Sequence, residues 1–224
     1  MNTPQHVAIV EVGPRDGLQN EAAAIDTASK IALIDALADA GHTRIEVSAF
    51  VSPTWVPQMA DADAVFAGIR RKPGVRYSAL VPNMAGLERA VSARVTDIAV
   101  FAAASETFSR KNINKSIADA LGGYAEVATA ALAAGMRVRG YVSTAFGCPF
   151  EGDVDPARVV DVAQALFDMG AEEVAVSDTI GVAHPGQVHA LLGALAAAVP
   201  LRALSLHFHD TRGTALVNVY AALD

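Results

Sequence analysis

The chain has 224 residues, of which 52% are hydrophobic and 18% are charged, and its formal net charge is −7. These proportions suit a globular protein rather than a disordered one. The acidic balance argues against nucleic acid as the main partner, because phosphate binding needs clustered lysine and arginine. The single cysteine excludes an internal disulfide. The sequence begins with no signal-peptide pattern, and its apolar stretches are too short for a bilayer, so we expect a cytoplasmic protein with no membrane partner.

Short β-branched runs alternate with alanine-rich segments of helical period along the whole chain. The predicted strands cover residues 7–12, 44–48, 76–81, 97–101, 137–143, 173–178 and 203–209. The predicted helices lie near residues 26–40, 58–70, 84–93, 116–134, 156–169, 185–198 and 214–223. This alternation predicts an α/β fold with a parallel sheet, and it is compatible with both a doubly wound sheet and a (β/α)8 barrel.

The residues that follow the predicted strands favour the barrel. A doubly wound dinucleotide-binding fold should have a Gly-x-Gly-x-x-Gly turn after its first strand, and EVGPRDGLQ at residues 11–19 does not fit that pattern. Nearly every predicted strand instead ends in a polar or ionisable residue, which is typical of TIM-barrel enzymes. Seven of the eight βα units of such a barrel are predicted. We therefore expect a single catalytic domain over residues 1–224 that stops before an eighth strand.

The strongest local motif is HFHD at residues 207–210, which ends the last predicted strand. Residues two apart on a strand point to the same face, so His207 and His209 can bind one ion. Asp16, which follows the first predicted strand, is the natural third ligand, since two histidines and a carboxylate suit a Lewis-acid metal site. Two alternatives remain: the histidines can be ordinary core or loop residues, and Asp16–Gly17 can be an ordinary turn.

Two further residues at this end of the predicted sheet carry charge. Arg15 is suited to stabilise an enolate or thioester oxygen, and a surface salt bridge is its alternative interpretation. Glu46 should share a strand face with Arg44 and Ser48. Buried carboxylates are rare unless paired, so we expect Glu46 to hold Arg15 in place.

Asp178 ends the sixth predicted strand, next to the strand that carries the histidines. It is placed to bind metal-bound water or to accept a proton from a substrate hydroxyl, and an N-cap on the following helix is the alternative. A basic cluster of Arg110, Lys111 and Lys115 falls in a predicted loop, where it either meets phosphates or forms a solvated face.

Several long motifs resemble those of the 3-hydroxy-3-methylglutaryl-CoA lyase family, in the same order along the chain. They are VGPRDGLQNE (12–21), FVSPTWVPQM (50–59), AASETFSRKNIN (103–114), RGYVSTAFGCPFEG (139–152), SDTIGVAHPG (177–186) and HFHDTRG (207–213). The family is similar to the Claisen-type synthases that make isopropylmalate, homocitrate or citramalate, which share the Arg-Asp-Gly and His-x-His elements. FVSPTWVPQM and GCPFEG favour the lyase.

The resemblance implies a TIM barrel that cleaves 3-hydroxy-3-methylglutaryl-CoA to acetyl-CoA and acetoacetate with Mg²⁺ or Mn²⁺, as in leucine degradation and ketone-body formation. It implies that Asp16, His207 and His209 bind the metal and that an acyl-CoA is the substrate. A homodimer is also implied, although the sequence shows no interface signature. The alternatives are a condensing synthase and an inactive acyl-CoA-binding fragment.

The resemblance also implies individual roles for the other residues. Arg15 would stabilise the enolate, Asp178 would assist removal of the hydroxyl proton, and Glu46 would support Arg15. Gln19, Tyr141 and Thr179 match substrate-pocket positions. The cysteine that protonates the enolate and an additional asparagine ligand would both lie beyond Asp224, so we expect this chain to be inactive or impaired. Cys148 belongs to an earlier loop, where a small, partly buried thiol is the better interpretation.

Overall fold

The computed structural model describes residues 4–224, which contain six strands and eight α-helices. The strands are β1 (Arg44–Ala49), β2 (Arg76–Leu80), β3 (Asp97–Ala103), β4 (Arg137–Ser143), β5 (Glu173–Asp178) and β6 (Leu204–Phe208). The helices are α1 (Thr27–Asp39), α2 (Ala62–Gly68), α3 (Met84–Ser92), α4 (Glu106–Ile113), α5 (Ile117–Ala133), α6 (Pro156–Asp168), α7 (Pro185–Leu195) and α8 (Ala215–Leu223). Within residues 4–224, no helix combines the length and the apolar character needed to cross a membrane.

The chain divides into two compact units. The N-terminal unit comprises Val7–Ala99 and Ala130–Arg137, and the C-terminal unit comprises residues 4–6, Val100–Thr129 and Val138–Asp224. In the N-terminal unit, β1 pairs in parallel with β2, and β2 pairs in parallel with the start of β3. In the C-terminal unit, the rest of β3 is followed by β4, β5 and β6, and the last three pair in parallel in that order.

Capping side chains and apolar packing explain why these segments form their elements. Asp26 accepts a hydrogen bond from the Ser29 N–H at the start of α1, and Asp155 accepts one from the Ala157 N–H at the start of α6. In the N-terminal unit, the rings of Phe50 and Phe66 stack with centroids 5.6 Å apart. Both side chains are buried, as expected for an interior in which aromatic pairs contribute much of the apolar contact area.

The C-terminal unit packs α6 closely onto β4 through a glycine. A Cβ atom added at Gly140 would lie 3.0 Å from Cβ of Leu166, a residue of α6 with no solvent exposure. Any side chain at this position would force the helix outward, because protein interiors have few voids to absorb an extra methyl group. The glycine therefore sets the distance between this helix and the sheet.

The predicted strand at residues 7–12 is wrong, and the described residues contain six strands rather than seven. Only Glu11 forms a parallel bridge, in which its N–H donates to the Arg44 oxygen at 2.9 Å and its oxygen accepts from the Glu46 N–H at 2.8 Å. Val7 and Ile9 are 57% and 66% exposed. A β-branched run becomes a strand only where a neighbouring strand supplies hydrogen-bond partners along its length. The sequence of the run itself does not show whether those partners are present.

Helix α4 lies in a segment for which the sequence predicts a loop. The hydroxyl of Ser105 accepts from the Phe108 N–H at 3.0 Å and caps the helix. Arg110 and Glu106 form an ion pair at 2.8 Å one turn apart. Arg110 and Lys111 therefore lie on a short helix, and the prediction that they belong to a loop is wrong.

Candidate functional site

Arg15 and Asp16 lie in a single π-helical turn, Gly13–Gly17, directly after the bridge at Glu11. The backbone N–H groups of Arg15 and Asp16 both donate to the Val12 oxygen, at 3.1 and 2.7 Å. The alternative of an isolated Asp-Gly turn is therefore wrong, since Asp16 and Gly17 end a helical turn. Single π turns are rare and are found frequently at functional sites. Gln19 follows in the same segment and is half-buried.

Arg15 is buried between two carboxylates of the N-terminal unit. Its Nε donates to Oε1 of Glu46, and its Nη1 donates to Oδ1 of Asp16 at 2.7 Å. Glu46 has no solvent exposure, whereas the side chain of Asp16 is 22% exposed. The expected contact between Glu46 and Arg15 is thus confirmed, and two charge-assisted hydrogen bonds orient the guanidinium plane.

A bulge in β1 separates Glu46 from Ser48. Glu46 lies opposite Ser78 and Ser48 lies opposite Ala79, so the register shifts between them. The hydroxyl of Ser48 contacts the sulfur of Met59 at 3.5 Å. The prediction that Glu46 and Ser48 share a face is wrong, because one extra residue in a strand reverses the alternation of its side chains.

His207 lies on β6 and His209 follows its last residue, with the two ring centroids 4.7 Å apart and the ring planes at 81°. Both residues are half-buried. Nδ1 of His209 lies 2.7 Å from the Thr179 carbonyl oxygen. A carbonyl can only accept, so this hydrogen bond requires a proton on Nδ1 and leaves Nε2 as the nitrogen that can bind a metal when the ring is neutral. This is the arrangement in which histidines bind metals in proteins.

Asp178 and Thr179 lie at the end of β5, in the same unit as the histidines. Asp178 has no solvent exposure, and its two carboxylate oxygens accept from the backbone N–H groups of Val182 and Ala183, each at 3.0 Å. The alternative that Asp178 caps the following helix is wrong, because His184 is the N-cap of α7. The hydroxyl of Thr179 accepts from the Thr144 N–H at 2.7 Å.

Sequence reasoning missed a polar network on β4, β5 and β6 of the C-terminal unit. Arg139 forms an ion pair with Glu173 at 2.9 Å and donates to the hydroxyls of Tyr141 and Ser205, each at 3.1 Å. Ser205 in turn donates to Glu173 at 2.8 Å. The signal was present in the sequence, because Arg139 and Tyr141 alternate on one strand face and Ser205 precedes His207 by two residues. Tyr141 is buried.

Cys148 occupies the loop after β4 and is 3% exposed. Its sulfur lies 3.0 Å from the hydroxyl of Ser105, and the N–H groups of Phe150 and Glu151 point to it at 3.4 Å. The carboxylate of Glu151 accepts from the Thr107 N–H at 2.7 Å, and hydrogen bonds from the side chain and the backbone of Thr107 lower the pKa of Glu151. The interpretation of Cys148 as a small free thiol is confirmed, and the thiol is buried rather than partly buried.

The sequence model of the HMGL-like family matches residues 6–224. The chain belongs to the HMGL-like family. It is 55% identical over 223 residues to a 3-hydroxy-3-isohexenylglutaryl-CoA/hydroxy-methylglutaryl-CoA lyase of Pseudomonas aeruginosa, covering 100% of this chain and 74% of that protein. It is 52% identical over 220 residues to the mitochondrial hydroxymethylglutaryl-CoA lyase of Rattus norvegicus, covering 98% of this chain and 68% of that protein.

A solved structure of an HMGL-like protein has the same fold. The crystal structure of hydroxymethylglutaryl-CoA lyase from Pseudomonas aeruginosa superposes with a TM-score of 0.97 at 55% identity, over 100% of this chain and 74% of that chain. The family expected from the sequence motifs is therefore confirmed.

Proposed function

We propose that the protein is a carbon–carbon lyase that cleaves 3-hydroxy-3-methylglutaryl-CoA to acetyl-CoA and acetoacetate. One observation carries this conclusion: two lyases named for this substrate align with at least 98% of the chain at 52% identity or more. A place in leucine degradation or ketone-body formation follows from that activity as part of the proposal. We further infer that the six strands belong to a (β/α)8 barrel of the TIM type.

We propose that Asp16, His207 and His209 bind one divalent cation, Mg²⁺ or Mn²⁺. Two imidazoles and a carboxylate form a donor set that suits such an ion. The hydrogen bond from Nδ1 of His209 to the Thr179 carbonyl supports this assignment, because it leaves Nε2 as the ligand atom. When bound, the cation supplies Lewis acidity to the substrate oxygens.

The chain's own residues account for the second half of the reaction. Breaking the bond between C2 and C3 leaves negative charge on the thioester oxygen of the departing acetyl group. The Arg15 guanidinium stays charged at any physiological pH and is held in one orientation by Glu46 and Asp16. A preoriented donor of this kind stabilises charge that develops in the transition state. We therefore propose Arg15 as the oxyanion-stabilising residue and Glu46 as its support.

The other predicted contacts remain proposals that rest on the family resemblance. Gln19, Tyr141 and Thr179 are proposed to contact the substrate, and Asp178 is the residue to which the resemblance assigns removal of the hydroxyl proton. The protein is proposed to form a homodimer, which light scattering of the purified protein tests directly. Localisation to the cytoplasm likewise remains a prediction.

The proposed activity is tested by measuring acetoacetate release from 3-hydroxy-3-methylglutaryl-CoA in the presence of Mg²⁺ or Mn²⁺. Metal-dependent release supports the lyase. Release of CoA thiol from acetyl-CoA and a 2-keto acid, without acetoacetate, would indicate a condensing synthase instead. Binding of the acyl-CoA without turnover would indicate the third alternative, an inactive fragment that binds acyl-CoA.

A second substrate is worth the same assay, because the Pseudomonas relative is also named for 3-hydroxy-3-isohexenylglutaryl-CoA. We propose that the shorter substrate is preferred, as it is the one common to the names of the Pseudomonas and rat relatives. Comparison of kcat/KM for the two acyl-CoA esters decides between them, and a higher value for the longer ester would reverse the assignment.

A further inference from the structure

Both carboxylate oxygens of Asp178 accept hydrogen bonds from the protein backbone. Asp178 is fully buried, and the N–H groups of Val182 and Ala183 donate separately to its two oxygens at 3.0 Å. A carboxylate that accepts backbone N–H bonds with both oxygens is a strong and directional anchor. These bonds close the chain between Asp178 and Ala183 into a compact loop that is stabilised from within.

This loop is tightly turned and lies against the segment that carries His209. Gly181 has φ +66, and its N–H donates to the backbone carbonyl oxygen of Asp178 at 3.2 Å. A Cβ atom at Gly181 would lie 2.5 Å from the hydroxyl of Thr211 and 2.8 Å from the carbonyl oxygen of His209. Only glycine combines this backbone conformation with so close an approach. The loop is therefore packed directly against residues 209–211.

The loop contacts the ring of His209 through the carbonyl oxygen of Thr179. This oxygen lies 2.7 Å from Nδ1 of His209 and holds the proton on that nitrogen. The Thr179 side chain is fixed independently, since its hydroxyl accepts from the Thr144 N–H at 2.7 Å. The position of the carbonyl thus depends on how the backbone runs between Asp178 and Ala183.

We infer that Asp178 is a positioning residue, which acts on the metal site through the backbone. By holding Val182 and Ala183 it fixes the Thr179 carbonyl, and that carbonyl fixes the tautomer and the ring orientation of His209. The inference rests on the proposed function, in which His209 binds the cation. It gives Asp178 an indirect role in place of the proton transfer that the family resemblance implies.

The first measurement is made on the metal-free wild-type protein and needs no variant. Nitrogen-15 NMR of the histidine-labelled protein reports which ring nitrogen of His209 carries the proton. We expect the proton on Nδ1 and the lone pair on Nε2. A neutral ring that carries its only proton on Nε2 would overturn the inference, because the Thr179 carbonyl would then not control the ring.

The second measurement is Mn²⁺ affinity, followed by electron paramagnetic resonance. Asp178→Asn places an amide group against one of the two backbone N–H donors, so one anchor bond is lost. Loss of a residue that orients a metal ligand weakens metal binding by about 10- to 100-fold. We expect a loss of this size in Asp178→Asn, together with a mixture of His209 tautomers in the metal-free variant.

Two further variants separate geometry from charge and from general stability. Asp178→Glu keeps the charge but moves the carboxylate, so we expect it to lose affinity as well. Retained affinity in this variant would overturn the inference, because charge alone would then suffice. The matched control is Thr214→Val, which removes a 3.2 Å hydrogen bond to the Ala183 oxygen at the far end of the loop and should leave Mn²⁺ affinity within about twofold of wild type.

The remaining outcomes distinguish the inference from the proposed function. Unchanged Mn²⁺ affinity in Asp178→Asn with a large loss of kcat would overturn the positioning role and favour proton transfer. Unchanged affinity with only a lower melting temperature would make Asp178 merely structural and would also overturn it. If the wild-type protein binds no Mn²⁺, the proposed metal site itself fails, and the inference fails with it.

Discussion

Arg15 donates from its guanidinium Nε to the carboxylate of Glu46, a residue of β1 that has no solvent exposure. The same guanidinium donates to Asp16, the adjacent residue in the π-helical turn. Arg15 is therefore tied both to the strand and to its own turn. This pair of bonds links the stability of the fold to the chemistry that we propose for the site.

Replacing Glu46 with alanine should destabilise the protein by about 3–5 kcal/mol, because removal of one partner leaves a buried charge uncompensated. Urea unfolding at constant pH measures the change. Glu46→Gln keeps a hydrogen-bond acceptor for Arg15, so its free energy of unfolding should fall by less than that of Glu46→Ala. Equal stability of Glu46→Ala and wild type would show that the buried pair contributes nothing to the fold.

Replacing Arg15 with methionine should lower kcat by about 10²–10³-fold, the loss typical of a missing oxyanion donor. We expect Mn²⁺ affinity to change far less. Arg70→Met is a matched control, because Arg70 forms its ion pairs with Asp35 and Asp39 at the surface. A change confined to KM would instead identify Arg15 as a binding residue.

Alanine substitution of Asp16, His207 or His209 should abolish metal-dependent turnover, since each variant removes one proposed ligand. Acetoacetate release with and without added Mn²⁺, before and after treatment with a chelator, measures the effect. The exposed His189 of α7 provides the control His189→Ala, which should retain activity. Near-normal activity in all three ligand variants would rule out the assigned metal site.

Asp97 should make the N-terminal unit sensitive to acid. Burial raises the pKa of the Asp97 carboxyl, but hydrogen bonds from Arg137, Thr96 and Arg76 outweigh it, so the pKa lies below its ordinary value of 3.8. A depressed folded-state pKa contributes stability that is fully present above the unfolded value and is lost as pH falls through the folded one.

The acid sensitivity is tested with Asp97→Asn by urea unfolding. The stability difference between wild type and this variant should be largest near about pH 6 and should narrow toward about pH 3. Asp153→Asn, a change at an exposed loop residue, controls for the effect of removing one negative charge. A difference that stays constant across this range would contradict the lowered pKa.

Cys148→Ala should keep kcat within a few-fold of wild type, because the thiol is buried against Ser105 and serves as packing. Steady-state kinetics and the rate of thiol labelling in the native protein test this together. Slow labelling with retained activity is expected. Fast labelling accompanied by inactivation would assign Cys148 a direct part in the reaction.

The sequence alone was sufficient for the six strands of the structure and for the motifs that identify the family. Buried β-branched runs such as those of β3 and β5 and capping residues such as Asp26 act locally, so composition and period reveal them. The pairing of Glu46 with Arg15 was also predictable, because a carboxylate on a buried strand needs a partner.

Only the tertiary structure decided the features that depend on contacts between distant segments. The run at residues 7–12 has a strand-like pattern, yet its pairing stops at Glu11, because a ladder depends on the neighbouring backbone. The sequence gives no sign of the bulge after Glu46. It also does not reveal the hydrogen bonds that the Asp178 carboxylate accepts from Val182 and Ala183. A residue type shows which bonds a side chain can make, and the folded backbone decides which of them it makes.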